Sequence, residues 1–326
     1  MKTLKPSGNS LTTLVVNPSA GRGKAGRVLP RVMQELFKGL PEGTVKVIRA
    51  RSQSHAEEAC RTAVEAAASQ PAERRDALVV MGGDGMMHLG LNAAAQTGVP
   101  LGAIPAGTGN DFCRGVGLPL NPVAAARVIA GGHTKAIDLS SVTGRLARDQ
   151  THEWVGCVVS TGYDARVSRR GNAMPQFWGS LAYALAALRE LKGFKPLPYR
   201  LVIDGQERQL KAMFIAIANV PYFGGGMKIA PHGRPTDGRL DLMICHPVSR
   251  LTLIRLLPTM FTGRFVKDPA CEFLEATEVV VDGDGLYGMA DGEALGQVPL
   301  LIKVVPGALT LFAPPDRPLS RWRKPR

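Results

Sequence analysis

The chain has 326 residues, more than one hydrophobic core usually supports, so two domains are expected, with one large α/β barrel as the alternative. A hydrophobic content of 45% with 37 Gly and 24 Pro and no low-complexity repeat excludes collagenous and wholly disordered classes. The 40 Lys and Arg against 27 Asp and Glu leave a net charge of +13, which favours anionic partners: nucleic acid, nucleotide phosphates or an acidic membrane surface.

In chain order, MKTLKPSGNS carries lysines but no apolar run after them, so it does not read as a signal peptide. A β-branched strand is predicted at 11–16, a Gly-rich turn after Asn17-Pro18, and a helix over 28–37. A second strand (45–50) and an Ala-rich helix (55–68) follow, then a third strand (77–81) ending in Gly82-Gly83-Asp84-Gly85 and a helix over 86–96. A fourth strand at 102–104 ends in Pro105-Ala106-Gly107-Thr108-Gly109, and Asn110-Asp111 opens another helical stretch. Strands alternating with helices imply parallel βαβ units. From about Asp138 the pattern changes to short apolar runs at 154–160, 200–203, 212–219, 240–244, 278–281 and 300–304, spaced by turns such as Asp204-Gly205 and Asp282-Gly283. This half reads as antiparallel β structure with one helix at 177–192, and the boundary falls around the polar stretch 140–150. The expected fold is an α/β nucleotide-binding domain (1–139), a β-rich, sandwich-like domain (140–306), and a returning strand with a basic tail (307–326). No apolar run reaches the ~18 residues of a spanning helix. The five scattered cysteines form no C-x-x-C pair, so a reducing cytoplasm is the default and any membrane contact is peripheral.

Three Gly-rich loops each follow a strand, and in open α/β sheets the ligand crevice lies at the carboxyl ends of strands. In the first, Asn17 to Gly26, glycines let backbone N–H groups approach phosphate oxygens, and Arg22 and Lys24 add charge. Gly21 and Gly26 have P-loop spacing, but Arg27-Val28 stand where a Walker loop needs Lys then Ser or Thr. The second places Asp84 among glycines, which suits a carboxylate holding Mg²⁺ or its waters beside a polyphosphate. The third adds a hydroxyl, an amide and a carboxylate at Thr108, Asn110 and Asp111. Each alone reads as an ordinary turn; three in succession at strand ends do not.

NPSAGRGKAG at 17–26, GGDG at 82–85, IPAGTGNDF at 104–112, GGGMKIAPHGRPTDGRLDL at 224–242 and MADGEAL at 289–295 together resemble the diacylglycerol kinase catalytic superfamily of lipid kinases, which includes sphingosine and ceramide kinases. GGDG alone is shared with NAD kinases and phosphofructokinases. The resemblance implies ATP bound in a cleft between two domains, with the strand at 309–312 returning to the first. It implies nucleotide contacts at Asn17, Pro18, Ser19, Ala20, Gly21, Gly82, Gly83, Asp84, Gly85, Met86, Met87, His88, Gly107, Thr108, Gly109, Asn110 and Asp111. Asp84, Asp111 and Asp138 match carboxylates of a metal-and-water network, and Asp237 matches a structural Mg²⁺ site completed by backbone carbonyls, with Arg234 and Arg239 at the flanking positions.

Asp291 and Glu293 match the pair to which the family assigns the general base. A hydroxyl attacking a γ-phosphoryl group needs such a carboxylate to accept its proton. The bland reading of Asp291-Gly292 is a hairpin turn, with Asp282-Gly283-Asp284-Gly285 as rival for that role. The chain departs from the family where Met86, Met87 and His88 follow GGDG in place of Thr, and where Ala50-Arg51-Ser52 stands for a Thr near the adenine or ribose, with Ser52 as substitute. The implied activity is ATP- and Mg²⁺-dependent phosphorylation of diacylglycerol to phosphatidate; the alternatives are a sphingoid or other lipid-like alcohol as acceptor and, more remotely, NAD. The implied partner is a lipid at a membrane surface rather than nucleic acid, which would call for basic residues interleaved with aromatics or a recognised module. Arg166, Arg169, Arg170, the apolar groups of Met174-Pro175 and Tyr222-Phe223, and the tail from Arg317 to Arg326 with Trp322 are candidates for lipid or an anionic bilayer, the tail reading equally as a disordered solubilising end. A homodimer is left open. The expected location is the cytoplasm, with peripheral membrane association.

Overall fold

The computed structural model describes residues 2–3, 10–41, 44–71, 74, 76–147, 150–162, 195–291 and 293–315. The helix expected over 177–192, the arginines at 166–170, Met174-Pro175 and the basic tail lie outside these residues. The described residues form two units: one takes those up to Asp138 and 306–315, the other runs from Leu139 to Val305.

In the first unit β1 (Lys2–Thr3) is followed by β2 (Thr12–Val16), α1 (Ala20–Leu36), β3 (Val45–Arg49), α2 (Gln53–Ala68), β4 (Ala77–Gly82), α3 (Asp84–Ala94), β5 (Leu101–Pro105), α4 (Asp111–Gly115), α5 (Pro122–Ala130) and β6 (His133–Leu146). Strands β3, β2, β4 and β5 lie side by side and all pair in parallel, as alternation with helices demands. Their residues are buried throughout β2, β4 and β5, the mark of a sheet covered on both faces. Leu14, Val79, Met81 and Ile104 pack with Leu29, Val32 and Leu36 of α1 and Ala125 and Ile129 of α5. Because β2, β4 and β5 are neighbours running the same way, the three Gly-rich turns emerge together at one edge of the sheet.

The second unit takes β6 beyond Asp138 and adds β7 (His152–Val155), β8 (Val158–Gly162), β9 (Leu197–Ile203), β10 (Gln206–Ala212), β11 (Phe214–Ala218), β12 (Leu240–Cys245), α6 (Arg250–Thr262), β13 (Cys271–Ala276), β14 (Glu278–Asp282), β15 (Tyr287–Ala290) and β16 (Glu293–Phe312). Its ladders are antiparallel, in the order β13-β12-β11-β8-β15-β16, with β14 joining β16 to β9 and β10. Alternate residues of these strands, such as Ile215 and Ile217, Leu242 and Ile244, Val279 and Val281, Leu300 and Ile302, meet in one core.

The polar stretch at 140–150 is in large part strand: β6 continues to Leu146 and pairs Ser140 with Val155 and Thr143 with His152. The last 20-residue strand, β16, passes from one unit to the other at Val305 and sets Leu311 beside Leu101 of β5. No helix among the described residues is long and apolar enough to cross a membrane.

Candidate functional site

The first loop is a compact turn at the head of α1. Gly21, Arg22 and Gly23 all take left-handed backbone angles (φ 59°, 59° and 78°) before the helix proper begins. Asn17 anchors it: its N–H donates to the Met81 carbonyl at 3.0 Å, and its Oδ1 accepts the Ser19 N–H at 3.1 Å. Gly23 and Gly26 N–H groups return to the Ser19 and Pro18 carbonyls. A Cβ on Gly21 would run into the carbonyl of Ala106, so this turn and the third one touch through backbone.

The second loop begins α3. Gly83 precedes the helix with no side-chain cap, and Met86 and Met87 donate their N–H groups to its carbonyl. An uncapped helix N-terminus of this kind receives phosphate readily. Asp84 points instead across to the third loop, where Oδ2 accepts the Asn110 N–H at 2.7 Å and Oδ1 the Phe112 N–H at 3.3 Å. One carboxylate thus brackets Asp111, itself buried at the start of α4.

Asn110 completes the arrangement in a left-handed conformation (φ 54°), which Asn tolerates better than most residues. Its amide closes a two-way clasp on Gly107, accepting the Gly107 N–H and donating to the Gly107 carbonyl, both at 2.9 Å. Ala106 and Gly107 N–H groups donate to the Gly82 carbonyl at 2.7 and 3.1 Å. A Cβ on Gly107 would stand 2.5 Å from the Gly83 Cα. Gly85 and Thr108 are exposed at the rim of this cradle.

The departures have structural reasons. Met86 is buried against Gly82, and Met87 is buried as well, so neither offers the hydroxyl that Thr would. His88 is half-buried and lies beside Asn92 one turn on, whose amide donates to the His88 carbonyl at 3.0 Å. Ser52 is the N-cap of α2, accepting the His55 N–H at 3.1 Å. Cys113 lies near the Asp84 charge; burial first, then that charge, pushes its thiol well above the usual range and leaves it a poor nucleophile.

Asp138, buried in β6, accepts the Gly307 N–H at 2.8 Å, tying together the two strands that pass between the units. The resemblance gave Asp138 a metal role, and its backbone bond was not legible from spacing.

In the second unit Asp291 lies at the turn between β15 and β16, with φ 49° and Ala290 paired to Glu293 across the ladder. The hairpin reading of this segment is therefore true of its backbone, whereas Asp282 to Gly285 link β14 to β15, strands that do not pair with each other. Yet the Asp291 side chain does more than turn the chain. Its carboxylate accepts three successive backbone N–H groups, from Gly156 and Cys157 at 2.9 Å and Val158 at 3.2 Å, more than 130 residues away in sequence. Glu293 is half-buried at the head of β16, and its side chain has no hydrogen bond or ion pair among the described residues.

Asp237 is exposed in the loop before β12, where its Oδ1 accepts the Arg239 N–H at 3.1 Å; the Arg234 carbonyl accepts the Thr236 N–H at 2.8 Å. Arg234 and Arg239 are themselves exposed, and as cations they have only carbonyls to offer a metal. Asp241, buried in β12 opposite Glu275, is pushed up to about 7 by burial and then by the Asp237 and Glu275 charges, with Arg234 opposing. No three His, Cys, Asp or Glu side chains among the described residues converge into a metal cage. The oxygen donors of Asp84, Asp111 and Asp237 nevertheless suit Mg²⁺, which is commonly held by one or two carboxylates with waters and substrate phosphates completing its shell. Phe223 is buried and bridged to Met227, so it is not a ready lipid contact.

Known proteins resemble this chain in sequence and fold. The family model of the diacylglycerol kinase catalytic domain matches residues 12–142, and that of the YegS C-terminal NAD kinase beta sandwich-like domain matches residues 157–313. A diacylglycerol kinase of Mycobacterium tuberculosis is 40% identical over 250 residues, covering 76% of this chain and 80% of that protein. A diacylglycerol kinase of Bacillus subtilis is 26% identical over 290 residues, covering 88% and 90%. Among solved structures, a diacylglycerol kinase from Bacillus anthracis has the same fold, with a TM-score of 0.70 at 21% identity over 94% of this chain and 97% of that one.

Proposed function

The chain belongs to the diacylglycerol kinase family of lipid kinases, and from that premise we propose that it transfers the γ-phosphoryl group of ATP to the free hydroxyl of diacylglycerol, giving phosphatidate. The observation that carries the acceptor is the 40% identity with the Mycobacterium tuberculosis diacylglycerol kinase.

In this reading the first unit binds ATP. Backbone N–H groups of the turn after β2 and of the uncapped start of α3 receive the phosphates, and Asp84 and Asn110 hold the turns in register by the bonds described. Gly107 and Thr108 line the same cradle. Oxygens of Asp84 and Asp111 would hold Mg²⁺, which when bound would neutralise charge on the polyphosphate. Asp237, with the Arg234 and Arg239 carbonyls, would hold a second, structural ion.

The second unit supplies the base. The lipid hydroxyl oxygen bonds to the γ-phosphorus as the bond to the β–γ bridging oxygen breaks; ADP leaves, and the hydroxyl proton passes to a carboxylate of the Asp291–Glu293 pair. Three backbone donors fix Asp291, which gives that carboxylate a set position. Glu293 is two residues on, with a side chain that no described residue engages.

The test is phosphate transfer from labelled ATP with Mg²⁺ to a panel of diacylglycerol, ceramide, sphingosine and NAD. Label in diacylglycerol is expected. Label confined to a sphingoid base would change the acceptor, and label confined to NAD would overturn the reading.

A further inference from the structure

Five large hydrophobic side chains are conspicuously exposed among the described residues, and three of them, Leu251 (79%), Ile254 (43%) and Phe261 (42%), lie on α6. With exposed Pro258 they stand at spacings of three, four and three residues, a single stripe along the helix. The opposite face is also apolar but buried: Leu253, Leu256 and Met260 pack inward. This helix thus presents a second apolar face to solvent.

The charge around that stripe is predominantly positive. Residues 250–268 contain Arg250, Arg255, Arg264 and Lys267 and a single acidic residue, Asp268, which pairs with Arg255 at 3.3 Å. All four cations are exposed, at both ends of the helix and along its flank. A helix of 13 residues is only about 20 Å long, small for the core of a stable dimer, and cores of that kind are depleted in charge. A flat anionic surface suits both the apolar stripe and its basic border.

We propose that α6 and the turn after it, through Lys267, form a docking element for an anionic phospholipid bilayer, with Leu251, Ile254 and Phe261 entering the headgroup boundary and Arg250, Arg264 and Lys267 meeting lipid phosphates. Docking is independent of the proposed phosphoryl transfer and is measured without nucleotide, so either idea can fail alone.

The experiment is sedimentation of the full chain with phosphatidylcholine vesicles, with and without phosphatidylglycerol. Binding is expected only with phosphatidylglycerol. Leu251→Ser combined with Phe261→Ser should weaken it at least about tenfold, and Arg264→Ala and Lys267→Ala by about fivefold each. Phe37→Ser, which removes an exposed aromatic from the other unit, should leave binding unchanged. Thermal melts verify folding, and Ile254→Ser carries the same test should the double variant be unstable. Undiminished binding by the stripe variants, no binding by the unaltered protein, or a fall in particle mass by light scattering in the stripe variants, which would make the face a contact between copies, would each overturn the proposal.

Discussion

Asp291 and Glu293 sit two residues apart and are held in opposite ways, so substitution should separate them. Asp291→Asn replaces an acceptor for three N–H groups by an amide whose own NH₂ must face one of them. It should lose activity and also stability, by about 1–3 kcal/mol, read in a urea titration. Glu293→Gln should leave the melt unchanged while lowering kcat if Glu293 accepts the proton, and full activity in that variant would assign the base to Asp291. Gly107→Ala is expected to fail for a different reason. Its Cβ would press on backbone rather than on a flexible side chain, costing about 1–3 kcal/mol and opening the cradle, so calorimetric ATP affinity and Tm should fall together. The three Gly-rich turns were readable in sequence because their chemistry is local: strand, glycines and polar residues stand within a dozen positions. The partners of Asp291 were not, because Gly156 to Val158 come to it only through the pairing of β8 with β15. The bond from Asp84 to Asn110 and Phe112 was equally hidden, since it spans two separate βα turns.

Between elements, α1 and α5 are joined by Glu35, which Arg127 meets with two guanidinium nitrogens at 3.0 and 3.2 Å while Lys38 adds a third bond. Arg127 first, then Lys38, lowers the Glu35 carboxyl from 4.5 to about 2. A carboxyl lowered on folding adds stability that is fully present above its unfolded value and is lost as pH falls toward the folded one. Stability should therefore decline between pH 4.5 and about 2, and Arg127→Ala should flatten that limb in urea titrations run across the window. The change should be modest, because Arg127 is largely exposed. Helix α6 escaped the sequence reading for a physical reason: with apolar residues on both faces it shows no amphipathic period, although Ser249 caps it through the Thr252 N–H at 3.1 Å. Strand β16 is read from sequence only in pieces, at 300–304 and 309–312, because Gly296, Pro299, Pro306 and Gly307 punctuate it like turns. Pairing with β14, β15 and β5 overrides those local signals.

Across the whole molecule the first unit is discontinuous: the chain leaves it at Asp138 and returns only at Pro306, where Leu311 settles beside Leu101 and the Ala308 carbonyl accepts the Gln96 N–H. Among the described residues the second unit is a single stretch between those points. Domains usually mature in the order in which a ribosome releases them, and this arrangement reverses that order. Residues 139–305 are available as a complete set while the nascent first unit still lacks its closing strand. Purified chains ending at Val305 should leave the segment before Asp138 open to limited proteolysis, whereas extension of the chain past Ala313 should protect it. Equal protection in both would mean that the four parallel strands need no closing partner. Nucleotide-binding competence is thus expected to arise late in translation, only after the β-rich unit has already taken shape.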